Sequence, residues 1–153
     1  MPLRIAFPLA LAGCLVLAGP SAAGDASATT AAVTPSPGKF KGRTSRQEAM
    51  SITVSRRHRI VALNFKHVRY SCPDGYQAFF NFSGGGLGVA IVGGKFKHRW
   101  DGTDSGRYSF RFALAGAFPS AKRAIGASGL KIIRPDHGGT CTNGTPTWTA
   151  RHT

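Results

Sequence analysis

The sequence predicts an all-β domain, an antiparallel β-sandwich or small β-barrel of about eight short strands with one disulfide. Apolar residues recur at every second position, which is the period of a strand. No stretch beyond residue 23 sustains the 3.6-residue period of a helix. Clusters rich in Gly, Asp, Ser and Pro separate the alternating runs, as turns do.

The first half of the domain contains a change of parity. Apolar residues alternate over 50–54 and over 61–65, and the apolar side then moves to the other set of positions over 68–72. A β-bulge inserts one extra residue and so produces such a switch. We therefore predict a bulge at Lys66-His67.

The second half repeats the strand pattern. After a turn at Pro73-Asp74-Gly75, alternation resumes over 76–82, and the clearest run covers 108–114. Shorter runs over 130–132 and 148–150 complete the pattern. We expect turns at Gly84-Gly85-Gly86-Leu87-Gly88, Asp101-Gly102-Thr103-Asp104-Ser105-Gly106 and Asp136-His137-Gly138-Gly139.

A small motif recurs as Gly38-Lys39-Phe40-Lys41, Gly94-Lys95-Phe96-Lys97 and Gly116-Ala117-Phe118. A glycine at this place sets a turn or bulge before a strand whose Phe enters the core. The spacing between the copies is irregular, so the motif indicates a repeated hairpin device and not a repeat array.

The N-terminus has the three-part layout of a secretory signal peptide. A basic start at Arg4 precedes an apolar run, which ends in the small residues Ser21-Ala22-Ala23. We predict cleavage before Gly24, with Ala26-Ser27-Ala28 as the second choice, and a secreted or cell-envelope location. Leu11-Ala12-Gly13-Cys14 also has the form of a lipobox, so lipidation of Cys14 is the less favoured alternative.

The predicted organisation has three parts. Residues 1–23 form the signal peptide, and residues 24–38 form an Ala/Ser/Thr/Pro linker with too little apolar surface to order itself. Residues 39–153 form one all-β domain, because their number fits a single core.

Three cysteines occur in the chain, and two remain if Cys14 leaves or carries lipid. In an exported protein such a pair favours a disulfide, so we predict Cys72–Cys141. Two buried thiols are the alternative, while neither position opens a helix that would activate a thiol.

The chain is strongly basic, with 20 Lys and Arg against 6 Asp and Glu and a net charge of +14. Such a surplus attracts anionic partners over a long range. The partners that we expect are an anionic cell-wall polymer or a membrane surface, and not a specific nucleic acid. A surface whose charge only keeps the protein soluble is the alternative, and the oligomeric state stays open.

Six of these cations fall on outward strand positions around the recurring motif. If the two strands that carry them are neighbours, the cations form one basic stripe for anionic polymer. The alternative is that they protect edge strands from aggregation. The six are Lys39, Lys41, Arg43, Lys95, Lys97 and Arg99.

Two groups of residues carry a resemblance to known proteins. Phe40-x-Gly42-x-Thr44-Ser45 near the start, with Cys141-x-x-Gly144 and Trp148-x-Ala150-Arg151 at the end, resembles an uncharacterised family of small secreted β-domains from actinobacteria. Arg46 departs from that pattern, where Gln is expected. The matching residues specify turns, core and disulfide, so the resemblance implies a fold and no catalytic residues.

The sequence contains no catalytic motif that we can identify. It has no Gly-x-Ser-x-Gly elbow, His-Glu-x-x-His, phosphate loop or Cys-x-x-Cys. Its five histidines show no paired ligand spacing, and three of its carboxylates, Asp74, Asp101 and Asp136, adjoin turn residues. We therefore expect no catalytic residues, no metal and no cofactor.

These observations favour a secreted, non-catalytic binding module for anionic polymers. An extracellular enzyme or enzyme inhibitor with a site built from loops is the second class, and a purely structural domain is the third. Salt separates the first from a pocket for a neutral ligand, because only binding by charge weakens steeply with ionic strength.

Overall fold

A computed structural model describes residues 32–104 and 108–153. These residues form nine strands and one 3₁₀ turn at Pro135–His137. The prediction of an all-β fold is confirmed. The strands are β1 Gly38–Thr44, β2 Ala49–Val54, β3 Arg59–Ser71, β4 Gln77–Ala90, β5 Lys95–Asp104, β6 Tyr108–Ser120, β7 Arg123–Arg134, β8 Gly139–Thr142 and β9 Thr147–His152.

The strands are hydrogen-bonded in the order β4-β3-β2-β1-β9-β7-β6-β5, and every pair is antiparallel. The short strand β8 pairs with both β3 and β7. Six strands, β3, β2, β1, β9, β7 and β8, therefore form a closed barrel, and β4, β5 and β6 extend outside it.

The barrel closes between β3 and β8, which share a single register pair beside the disulfide. Ser71 of β3 and Thr142 of β8 are the register pair that joins these two strands. Cys72, directly after β3, and Cys141 of β8 are each one position from this pair; they form the predicted disulfide, and both are buried. The disulfide is consistent with an extracellular location.

Aromatic side chains fill most of the core. Phe40, Phe112 and Trp148 are each at most 2% exposed. Phe82 of β4 stacks on Phe112 of β6 with ring centroids 4.5 Å apart. The strands outside the ring therefore contribute to the same core as the ring. Burial of the large aromatic surfaces stabilises this core.

The predicted bulge at Lys66-His67 is present. The β3–β4 register shifts between Phe65 and Val68, and His67 has a φ of 54°, in the left-handed region. The extra residue explains why the buried face changes parity along β3.

The recurring glycine motif behaves as predicted at two of its three copies. Gly38 and Gly94 have positive φ, and the Phe residues of all three copies are buried. Gly116 instead lies inside β6, where a Cβ would come within 2.7 Å of the Phe96 and Trp148 rings. Its role is close packing and not a turn.

The prediction of a turn at Gly84-Gly85-Gly86-Leu87-Gly88 is wrong, because this stretch lies inside β4. Gly86 and Gly88 have φ of 67° and 62°, and the β3–β4 register shifts opposite them, between Ile60 and Ala62. The glycines therefore accommodate an irregular strand. The first four residues of the turn predicted at 101–106 likewise lie in β5, and Ser105 and Gly106 lie outside the described residues.

The ordered contacts begin earlier than the predicted boundary at Lys39. Residues 32–37 have no regular secondary structure, but Val33 packs against the core and the Ser36 N–H donates to the Ala121 carbonyl at 2.8 Å. These contacts involve residues at the end of the predicted linker, 24–38. The predicted signal peptide, Cys14 and residues 24–31 lie outside the described residues.

Candidate functional site: the outer basic surface

The six predicted binding cations are all exposed but lie on two separated strands. Lys39, Lys41 and Arg43 lie on β1, and the second triplet lies on β5. β9, β7 and β6 lie between these strands, so the condition for one stripe, that the two strands are neighbours, is not met. Alternation tells which face a residue occupies, but it carries no information about strand order. The second triplet is Lys95, Lys97 and Arg99.

The two triplets nevertheless share the outer face of one five-strand sheet. A continuous row of register partners runs from Arg43 through Thr149, Ile125 and Ala117 to Lys95. Four steps between strands separate its ends by about 19 Å, at the usual spacing of about 4.8 Å. The β1 and β5 cations therefore flank the face from opposite sides.

The strand order reveals two cations that sequence reasoning missed. Lys41 of β1 is the register partner of Arg151 of β9, and Arg151 is also the partner of Arg123 of β7. We call these three residues the basic row. All three are exposed, and β1, β9 and β7 contain no Asp or Glu. The sequence indicated that Arg151 faces outward, because it alternates with the buried Trp148 and Ala150. Its partners on the neighbouring strands depend on the fold.

Like charges placed directly opposite each other destabilise a sheet. The basic row contains two such pairs, Lys41–Arg151 and Arg151–Arg123. Two cations elsewhere on the sheet have a carboxylate partner, because Asp101 pairs with Arg111 at 2.6 Å and with Arg99 at 3.6 Å. The row is thus a local concentration of positive charge on strands that supply no compensating carboxylate.

Two members of the β5 triplet, Lys97 and Arg99, border a cavity of about 790 Å³ on the outer face of β5, β6 and β7. Its floor consists of small residues of β6 and β7, including Ala113, Ala115 and Gly129. Lys97 and Lys131 contribute to its walls. The small side chains leave a depression in the surface of the sheet, and lysines lie at its rim.

A second cavity, of about 510 Å³, lies at the β1–β2 turn and contains a buried carboxylate. Glu48 is 8% exposed, and its Oε1 and Oε2 accept hydrogen bonds from the Arg69 backbone N–H and the Thr44 hydroxyl, both at 2.9 Å. The edge of β3 pairs with β2 up to Phe65 and with β8 at Ser71. Between Phe65 and Ser71 this edge of β3 lies between its partner strands β2 and β8, and there Glu48 accepts a hydrogen bond from the Arg69 backbone.

A polar cluster covers the loops beside the disulfide. The His137 and Tyr76 rings stack with centroids 3.9 Å apart, and His137 Nδ1 lies 2.8 Å from Asp74 Oδ2. Hydrogen bonds from the Tyr76 N–H and from His137 hold the pKa of Asp74 below its ordinary value. A hydrogen bond from Arg134 likewise lowers the pKa of Asp136. These contacts fasten the 3₁₀ turn to the loop after β3.

Within residues 32–104 and 108–153, no three His, Cys, Asp or Glu side chains are grouped as a metal site. In the same ranges no helix is long and apolar enough to cross a membrane.

Comparisons with known proteins assign no family. No family model matches the chain, and no curated protein or solved structure matches it either. The resemblance to small secreted actinobacterial β-domains therefore stays a prediction.

Proposed function

We propose that this chain is a secreted, non-catalytic module that binds anionic polymers of the cell envelope through the outer face of β1, β9 and β7. The observation that carries the proposal is the basic row, in which Lys41, Arg151 and Arg123 lie opposite one another on three adjacent strands. Lys39 and Arg43 flank it on the same exposed face.

The electrostatics of the row favour a polyanion over a single small anion. The three cations extend perpendicular to the strands, at successive strand spacings of about 4.8 Å. Each of the two like-charge pairs costs about 0.2–1 kcal/mol in the unbound protein. A polymer with repeated negative charge relieves both repulsions together, and the long-range field of the surface raises its rate of encounter.

The other function classes lack a comparable feature among the described residues. An enzyme or inhibitor with a loop-built site stays a prediction, and so does a purely structural role. Polymer binding gains support because the row maintains an unfavourable arrangement that a solvated surface does not require.

The test is retention of residues 24–153 on purified cell wall before and after its anionic polymers are stripped, over a NaCl series. We expect retention that disappears on stripping and at moderate salt. The triple variant Lys41→Gln/Arg123→Gln/Arg151→Gln should lose retention at low salt.

The matched control, Arg56→Gln/Arg57→Gln/Lys131→Gln, removes three exposed cations outside the row and should retain most of the binding. Equal losses in the two triple variants would show that net charge alone is responsible. Retention that survives stripping would contradict the polymer as the ligand.

A further inference from the structure

The cavity at Glu48 combines features that the basic row does not use. Its volume of about 510 Å³ lies within the range of small-ligand pockets, about 300–1,000 Å³. It is lined by residues from the β1–β2 turn, the β3 bulge and the outer face of β4. They are Arg46, Gln47, Glu48, His67, Arg69 and Phe79.

Backbone strain is concentrated around this cavity. Three residues other than glycine have positive φ among the described residues, and two of them, Gln47 at 66° and His67 at 54°, line this cavity. The β3 bulge accounts for His67 and the β1–β2 turn for Gln47. Such conformations cost free energy and are found more often at binding sites, where the surrounding structure holds them in place. Glycine, which would remove the cost, occupies neither position.

The wall of the cavity carries an exposed aromatic ring among cations. Phe79 is 60% exposed, with the Arg69 guanidinium 5.7 Å from its ring centroid and the His67 ring edge-on to it at 6.1 Å. Neither Arg46 nor Arg69 forms an ion pair with a carboxylate in the part of the chain that the structure describes. An apolar platform and two uncompensated guanidiniums thus adjoin the Glu48 carboxylate.

We propose that this cavity binds a carboxylated sugar unit of the anionic polymer, an inference that builds on the proposed function. The apolar face of a pyranose ring stacks on Phe79, and the sugar carboxylate accepts hydrogen bonds from Arg69 and Arg46, since guanidinium matches carboxylate geometry. Each carboxylate oxygen of Glu48 accepts one hydrogen bond from the protein. The remaining lone pairs of these oxygens accept hydrogen bonds from sugar hydroxyls.

The formal charge balance of the cavity selects the kind of anion. Arg46, Arg69 and Glu48 sum to one positive charge, so one carboxylated sugar neutralises the cavity. A sugar phosphate, with nearly two negative charges at neutral pH, leaves an excess negative charge beside Glu48, and a neutral sugar leaves the positive charge unpaired. The cavity therefore favours a uronic acid over either a phosphorylated or a neutral sugar.

The test is an amide NMR titration with digalacturonic acid at about 50 mM NaCl, because Arg46 and Arg69 are exposed and high salt would screen their binding as well. It uses residues 24–153 carrying Lys41→Gln/Arg123→Gln/Arg151→Gln, which removes the charge of the basic row and leaves the cavity intact. We expect shifts at residues 46–48, 67–69 and 79 and none at the basic row. Phe79→Ala and Arg69→Gln should each weaken affinity at least tenfold. Arg69→Gln keeps the backbone N–H that Glu48 accepts from, and Arg57→Gln is the control.

Each outcome decides the inference separately from the proposed function. Shifts confined to the basic row, the absence of binding, or equal affinity for neutral galactobiose or for galactose phosphate would overturn the sugar site. Wall retention through the basic row would persist in each of these cases. Conversely, specific binding of digalacturonic acid by a protein that the wall does not retain would support the cavity and contradict the polymer-binding face.

Discussion

Removal of the disulfide should weaken the closure of the barrel more than any other part of the fold. The ring is joined between β3 and β8 by the single register pair Ser71–Thr142, with Cys72–Cys141 beside it. The bond connects residues 69 positions apart, and closing a loop of that length stabilises the native state by about 4 kcal/mol in the chain-entropy model. A domain with a total stability of about 5–15 kcal/mol loses a large part of it.

The assay is urea unfolding of Cys72→Ala/Cys141→Ala beside the oxidised and the chemically reduced wild type, followed by tryptophan fluorescence, because Trp148 is buried. Hydrogen exchange should show the β8 amides losing protection first, since β8 has only four residues. A double variant within about 1 kcal/mol of the wild type, with β8 equally protected, would refute the role of the disulfide in closure.

Three further predictions test individual contacts. Glu48→Ala leaves two hydrogen-bond donors unpaired and should lower the free energy of unfolding by about 3 kcal/mol in urea melts; a loss below about 1 kcal/mol would contradict its bonding role. Arg151→Gln removes two like-charge pairs and should raise stability by about 1 kcal/mol at low salt while it weakens polymer binding; unchanged stability would show that the repulsion is absent. The pKa of Asp74 is lowered on folding, so its stabilisation is complete above its ordinary value of 3.8 and declines as pH falls further. Urea midpoints between about pH 5 and pH 2 should fall less in Asp74→Asn than in the wild type, and parallel curves would argue against this linkage.

Strand parity predicted most of the fold from the sequence. The switch of the apolar side around Lys66-His67 identified a bulge that the structure confirms, because side-chain direction in a strand depends only on local geometry. The Gly84–Gly88 stretch was interpreted wrongly as a turn. Glycine permits both turns and irregular strands, and the partner strand β3 decides between them.

The candidate sites were harder to predict because they depend on contacts between distant segments. Arg123 and Arg151 join Lys41 only through the order of β1, β9 and β7, which no local pattern encodes. Glu48 likewise bonds the backbone of Arg69, 21 positions away, in an interval between two partner strands. Sequence reasoning identified Lys41 as a candidate for binding, but it could not identify the row that gives this residue its role.

The most direct test of the polymer-binding account is the dissociation constant for a soluble anionic wall polymer, measured from about 50 to 500 mM NaCl. For the wild type the account predicts a steep loss of affinity over this range, since the ionic screening length falls from about 14 Å to about 4 Å. The variant Lys41→Gln/Arg123→Gln/Arg151→Gln should bind weakly even at the lowest salt. Wild-type affinity that does not change with salt, or a variant that binds as tightly as the wild type, would contradict the role of the basic row.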